Sequence, residues 1–174
     1  DEVYSDYSKY SFIKECLNYK YTVVLRSFSK SFGAAGIRFG MAVSSKFIMN
    51  YLQNYRSAYE ANSLSILFAE TLIENLVEKN NYVKQVNKSR KIIHATLEKL
   101  NIKYHYSNYG NYIYIDMEED NKKNKIMNFL KKEKIFIRGS WKDKFKSGFS
   151  VTITDIQTTN KFLKSLIKFY SNER

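Results

Sequence analysis

Lys30 lies within "SFSKSFGAAGIRFG" (27–40), a stretch that gathers three serines, one lysine, one arginine and three glycines between apolar runs. A lysine amine can condense with a carbonyl compound to form an imine. Ser27, Ser29 and Arg38 add two hydroxyls and a planar guanidinium, the donor set that suits a phosphate monoester dianion. An amine beside a phosphate site predicts a ligand that is both a carbonyl compound and a phosphate ester.

Pyridoxal 5'-phosphate is such a ligand, and the start of the chain supplies what its ring also needs. A carboxylate facing the pyridine nitrogen keeps it protonated, so the ring can accept the electron pair released at a substrate's α-carbon. Asp1 is the candidate for that role. Tyr4 is placed to hydrogen-bond the phenolic oxygen of the ring. The glycines Gly33, Gly36 and Gly40 are not followed by Gly-Lys-Ser/Thr, so they read as turn and close-packing glycines rather than a nucleotide loop.

The elements that must position these groups follow from hydrophobic period. "TVVLRSF" (22–28) reads as a buried strand and "GIRFGMAVS" (36–44) as a second, with "GAAG" turning between them, so Lys30 stands just past a strand end. Ligands of α/β sheets gather at that edge. Phe68, Ala69, Leu72, Ile73, Leu76 and Val77 recur at helical spacing from Asn62 onward. After a break at "KNN" (79–81), Tyr82, Val86, Ile93, Leu97 and Leu100 continue the pattern in a second, long helix. Beyond residue 100, "NYIYIDM" (111–117), "KIFIR" (134–138) and "FSVTIT" (149–154) read as strands, and Ile126 to Leu130 as part of a helix. Asp155 is the N-cap of a closing helix carrying Phe162, Leu163, Leu166, Ile167 and Tyr170. The division expected is residues 1–100, an α/β part with its connecting helix, and residues 101–174, a small α+β domain.

Composition narrows the function classes. The 174 residues are 44% hydrophobic, enough for a packed core, and no run approaches the length of a membrane span. Cys16 is the sole cysteine, which excludes an internal disulfide and a cysteine-based zinc cage. His94 and His105 lack ligand spacing and read as structural, so no metal is expected. A reducing, cytoplasmic setting follows from the cysteine count and the lack of an apolar leader. The net charge of +12 draws attention to nucleic acid, but its lysines are dispersed along the chain. The densest run, "NKKNKIMNFLKKEKIFIR" (121–138), reads as the solvated outer face of an amphipathic helix. Nucleic acid and membrane are therefore not the partners expected.

"DEVY" (1–4) followed by "SFSKSFGAAGIRFG" (27–40) resembles the fold-type I pyridoxal-phosphate enzymes of the class I/II aminotransferases, and is most similar to their histidinol-phosphate branch. The resemblance continues through "NYGNYIYIDM", "FLKKEKIFIR" and "FSVTITDIQTTNKFLKSL" to the C-terminus. It implies the C-terminal part of a fold-type I large domain followed by an α+β small domain. It further implies Lys30 as the Schiff-base lysine and proton shuttle, Asp1 at the pyridine nitrogen, Tyr4 at O3', and Ser27, Ser29 and Arg38 around the phosphate. Asn111 matches a position near the substrate, and Arg138 stands where members often show Val-Arg-Pro. A homodimer is implied, acting on a small-molecule amino donor and a 2-keto acid acceptor. The chain opens on Asp rather than Met, and the segments corresponding to the family's N-terminal half are not in it.

One departure bears on substrate. Where the family's last small-domain strand usually carries an arginine for the substrate's anion, this sequence has Ser150, whose hydroxyl cannot replace the charge. The motifs are shared by a decarboxylase of a phosphorylated amino acid in the same branch, so transamination and decarboxylation both remain open. A basic binding module that keeps the fold without the chemistry is the non-enzymatic alternative.

Overall fold

The computed structural model describes residues 1–8, 10–139 and 141–172, and the chain divides into two compact units, Asp1–Val83 and Lys84–Arg174. The sequence-based division at residue 100 follows the end of the long helix, whereas the compact units meet inside it.

In the first unit β1 (Val23–Ser27) and β2 (Gly40–Ser44) form an antiparallel pair in which Val23 faces Ser44 and Ser27 faces Gly40. Branched side chains suit a pleated strand, and the alternation places Val24 inside while Val23 and Leu25 stay exposed. Phe28 then drops into a small core with Ala34 and Ala69, packed by Phe32, Ile37, Phe39 and Leu72. The second strand begins four residues later than the hydrophobic run predicts. Ala35–Ile37 is a single 3-10 turn, and Arg38 adopts a left-handed φ of 52°, which no ladder residue can share.

Helix α1 (Lys46–Gln53) follows, and the run predicts no such helix. Then α2 (Ser63–Glu74) is capped by Asn62, whose Oδ1 accepts from the Ser65 N–H at 2.9 Å. The Ser65 hydroxyl in turn donates to the Ile37 carbonyl at 2.6 Å, fastening the helix start to the turn before Arg38. The expected break at residues 79–81 lies elsewhere. The helix ends at Asn75, and α3 (Leu76–Lys99) runs without interruption through "KNN". Lys and Asn are tolerated in helices, and Lys79 gains a carboxylate partner in Asp6.

The second unit carries an antiparallel sheet in the order β3 (Lys103–Tyr106), β4 (Tyr112–Asp116), β5 (Gly148–Thr152), with α4 (Asp120–Lys132) and α5 (Ile156–Asn172). Ile113 and Ile115 on β4 and Phe149 on β5 are fully enclosed, as are Ile126 and Leu130 of α4 and Leu166 of α5. Asp155 caps α5 as expected, its Oδ1 accepting from the Thr158 N–H at 2.8 Å. Two expectations fail here. "KIFIR" is not a strand: Lys134 turns left-handed at φ 58° and the Ile135 N–H returns to the Leu130 carbonyl at 2.9 Å, closing α4. Only Arg138 touches the sheet, as an isolated bridge to Ser150. Lys123 is also not on a solvated face, because it is buried and donates to Asp120 and, at 2.8 Å, to the Lys146 carbonyl.

Candidate functional site

The first unit holds six of the sequence-derived residues. Lys30 follows β1 by three positions, and its carbonyl accepts from the Gly33 N–H at 3.1 Å in a turn that needs Gly33 at φ 66°. Its Nζ lies over the Tyr4 ring, 5.1 Å from the centroid. Among the described residues Lys30 has no carboxylate partner, so its amine is not committed to an ion pair.

The strand ladder continues past β1 through the Phe28 N–H to the Phe39 carbonyl at 3.4 Å, which brings the Ser27–Ser29 backbone beside the Arg38–Gly40 backbone. Ser27 Oγ accepts from the Ser29 N–H at 3.1 Å, leaving the Ser27 hydroxyl hydrogen to give elsewhere. Arg38 is exposed and its Nη1 donates to the Ala35 carbonyl at 3.0 Å, so the guanidinium folds back on its own turn with further N–H groups remaining.

Asp1 and Tyr4 are held against β1 by the Glu2 N–H, which donates to the Leu25 carbonyl at 2.9 Å. Asp1 Oδ1 accepts from the Val3 N–H at 3.0 Å and is exposed. Glu2 secures the segment further, accepting from the Ser11 hydroxyl at 2.8 Å and the Phe12 N–H, and pairing with Arg26 at 3.2 Å. Burial pushes the Glu2 carboxyl upward, but the Phe12 and Ser11 hydrogen bonds and the Arg26 charge outweigh it and hold it below the ordinary range.

The second unit carries the other two. Asn111 is buried at the start of β4, its carbonyl accepting from the Ile153 N–H at 2.7 Å, while Arg90 donates to the preceding carbonyl, that of Gly110, at 2.5 Å. Arg138 is exposed and stacks on Trp141, 4.3 Å from its ring. Its backbone exchanges hydrogen bonds with Ser150.

Sequence motifs do not reveal Glu2, Asp6, Arg26, Ser31 and Lys79, which form a linked ionic and hydroxyl cluster in which Ser31 adjoins Lys30 along the chain.

A half-buried, uncommitted amine beside a phenol, on a turn whose hydroxyls and guanidinium share one end of a two-stranded ladder, fits a phosphorylated aldehyde. These groups are carried by a mixed α/β fold. The chain belongs to the class I and II aminotransferase family, whose model matches residues 1–167.

A histidinol-phosphate aminotransferase from Pyrococcus furiosus is 28% identical over 169 residues, covering 97% of this chain and 46% of that protein. The chain spans about half the length of the curated relatives it matches. Among solved structures, the histidinol-phosphate aminotransferase from Sinorhizobium meliloti in complex with pyridoxal-5'-phosphate superposes with a TM-score of 0.83 at 17% identity, covering 100% of this chain and 48% of that one. The L-threonine-O-3-phosphate decarboxylase from Porphyromonas gingivalis superposes at 0.77 with 18% identity, covering 97% and 53%. At these identities the structural likeness establishes the fold.

Proposed function

We propose that this chain is the C-terminal half of a pyridoxal-phosphate-dependent aminotransferase that moves an amino group between an amino compound, phosphorylated ones included, and a 2-keto acid. The observation that carries the reading is the uncommitted Lys30 amine over Tyr4 in a chain of this family. Bound to the enzyme, the cofactor supplies an aldehyde for condensation with amines and a ring that withdraws electrons from the substrate's α-carbon.

The residues then divide the work. Ser27, Ser29 and Arg38 would hold the phosphate through charge-assisted hydrogen bonds. Asp1 would keep a proton on the ring nitrogen by placing a negative charge beside it, and the Tyr4 hydroxyl would donate to the ring oxygen. Lys30 Nζ would hold the cofactor through its amine and would take up the proton that leaves the substrate's α-carbon. Arg138 and Asn111 would receive the substrate's polar groups. The enzyme we envisage is a cytoplasmic homodimer.

Ser150 favours a second reading, decarboxylation of a phosphorylated amino acid. Without an arginine there, the substrate carboxylate would lack a charged anchor at that position and would be freer to leave as carbon dioxide.

Purified protein incubated with pyridoxal phosphate should develop a visible absorbance band that borohydride bleaches, leaving the cofactor's mass on the peptide containing Lys30. Lys30→Ala should abolish both. Release of a keto acid from the amino donor identifies transamination, and release of carbon dioxide the second reading. Protein that takes no label at residue 30, or takes it equally in Lys30→Ala, overturns the proposal.

A further inference from the structure

Ser31 follows Lys30 directly and is almost wholly enclosed at 1% exposure. Its hydroxyl donates to Asp6 Oδ2 at 2.5 Å, across 25 positions of sequence. The other carboxylate oxygen, Oδ1, takes the Lys79 amine at 2.9 Å and lies 4.0 Å from Arg26 Nη1. Burial pushes the Asp6 carboxyl upward, yet the hydrogen bonds from Ser31 and Lys79 and the two positive charges prevail, so it stays ionised and accepting. Asp6 sits in the 3-10 turn Ser5–Tyr7 that begins immediately after Tyr4.

The segments bearing Lys30 and Tyr4 are therefore tied together one residue beyond the lysine and two beyond the tyrosine. A lysine side chain is a flexible four-carbon stem, so the place of its amine depends on how firmly its backbone is held. The Gly33 and Ala34 amides restrain the turn internally, the first at the Lys30 carbonyl and the second at the Phe28 carbonyl. They do not set its distance from Tyr4. Reacting groups need such second supports to stay within about 0.5 Å of the working geometry.

We propose that Asp6 and Ser31 form a positioning clamp that holds the Lys30 amine over Tyr4, where an aldehyde can reach it. The clamp rests on the cofactor reading above but assigns a role to two residues outside the contact set of that reading. Neither is a catalytic residue. Asp6 acts through Ser31, and Ser31 acts through the backbone of Lys30.

The test separates the amine's reactivity from binding of the ring and phosphate. In the purified protein, the rate at which pyridoxal phosphate becomes fixed to Lys30 under borohydride is measured beside the affinity for pyridoxine 5'-phosphate, which lacks the aldehyde. Ser31→Ala and Asp6→Asn are expected to slow labelling about tenfold or more while leaving pyridoxine phosphate affinity within about twofold. Ser31→Thr, which keeps the hydroxyl, is expected to label faster than Ser31→Ala. Labelling rates that match the unmutated protein overturn the clamp alone. So does a parallel fall of labelling, pyridoxine phosphate affinity and melting temperature, which marks a general structural role. An unmutated protein that takes no label at Lys30 overturns the cofactor reading and the clamp with it.

Discussion

Arg138 and Ser150 stand opposite each other, the Ser150 N–H donating to the Arg138 carbonyl at 2.7 Å and the Arg138 N–H to the Ser150 carbonyl at 3.3 Å. Arg138 thus bridges by its backbone to the position that lacks the expected arginine, and Trp141 steadies its guanidinium by stacking at 4.3 Å. If Arg138 receives the substrate's anion, Arg138→Ala loses one charge-assisted contact worth about 1.5–3 kcal/mol. The expected result is a KM for an anionic amino donor raised roughly tenfold or more, with pyridoxal phosphate affinity unchanged. Steady-state kinetics with the donor varied checks it, and an unchanged KM removes Arg138 from the substrate site.

Gly40 faces Ser27 across the β1–β2 ladder, and a Cβ there would come within 2.9 Å of the Arg26 carbonyl oxygen. Backbone cannot swing aside as a side chain can, so Gly40→Ala must spread the two strands. A destabilisation of about 1–3 kcal/mol is expected. Because Ser27 ends that ladder and Ser29 and Arg38 lie within two residues of its last pair, affinity for pyridoxine phosphate should fall with it. Urea unfolding and a binding titration measure the two effects, and stability within about 0.5 kcal/mol of the parent contradicts the close approach.

What local sequence reveals and what it hides can be seen residue by residue. Val23, Val24 and Leu25 declare a strand, Ile113 and Ile115 a half-buried one, and Asp155 a helix start, because each signal is contained within a few neighbours. The Lys30, Ser27, Ser29 and Arg38 group is legible as a motif for the same reason. "KIFIR" misleads because its β-branched residues suit a strand, while Lys134 at φ 58° spends them on closing α4. β3 (Lys103–Tyr106) is hard to read since "KYHY" offers little apolar alternation. The Asp6 cluster is hidden for a different reason. Ser31 and Lys79 lie 25 and 73 positions from Asp6, and no local period encodes a contact that only the folded chain creates.

Asp155 supplies a pH dependence with a definite sign. The Thr158 N–H, followed by the Thr158 hydroxyl, holds its carboxyl below the ordinary range. A carboxylate depressed in the folded state stabilises above its unfolded value of about 3.9, and that stabilisation is lost as pH falls through the folded value. Asp155→Ala should therefore cost about 1 kcal/mol near neutral pH, as for other lost helix caps. The gap from the parent should narrow on acidification below about pH 4. Asp155→Asn keeps a capping oxygen without the charge and should lose less. Unfolding curves across pH provide the check, and a pH-independent gap shows that the cap acts without its charge.

Arg90 fixes the approach to β4. It is buried on α3, with Nη1 donating to Asn87 Oδ1 at 2.8 Å and Nη2 to the Gly110 carbonyl at 2.5 Å. The next carbonyl, that of Asn111, is held from the other side by the Ile153 N–H at 2.7 Å. Two successive peptide groups are thus pinned around a residue proposed to meet substrate. Arg90→Ala leaves the Gly110 carbonyl without this donor in a buried place, at a cost of about 1–3 kcal/mol. Arg90→Lys should recover only part of it, since an ammonium cannot reproduce the fork that reaches both oxygens. Amide exchange at residues 110–113 should accelerate in both variants, more in the alanine one. Exchange that stays at the parent's rate in Arg90→Ala would show that the strand and Ile153 alone hold Asn111 in place.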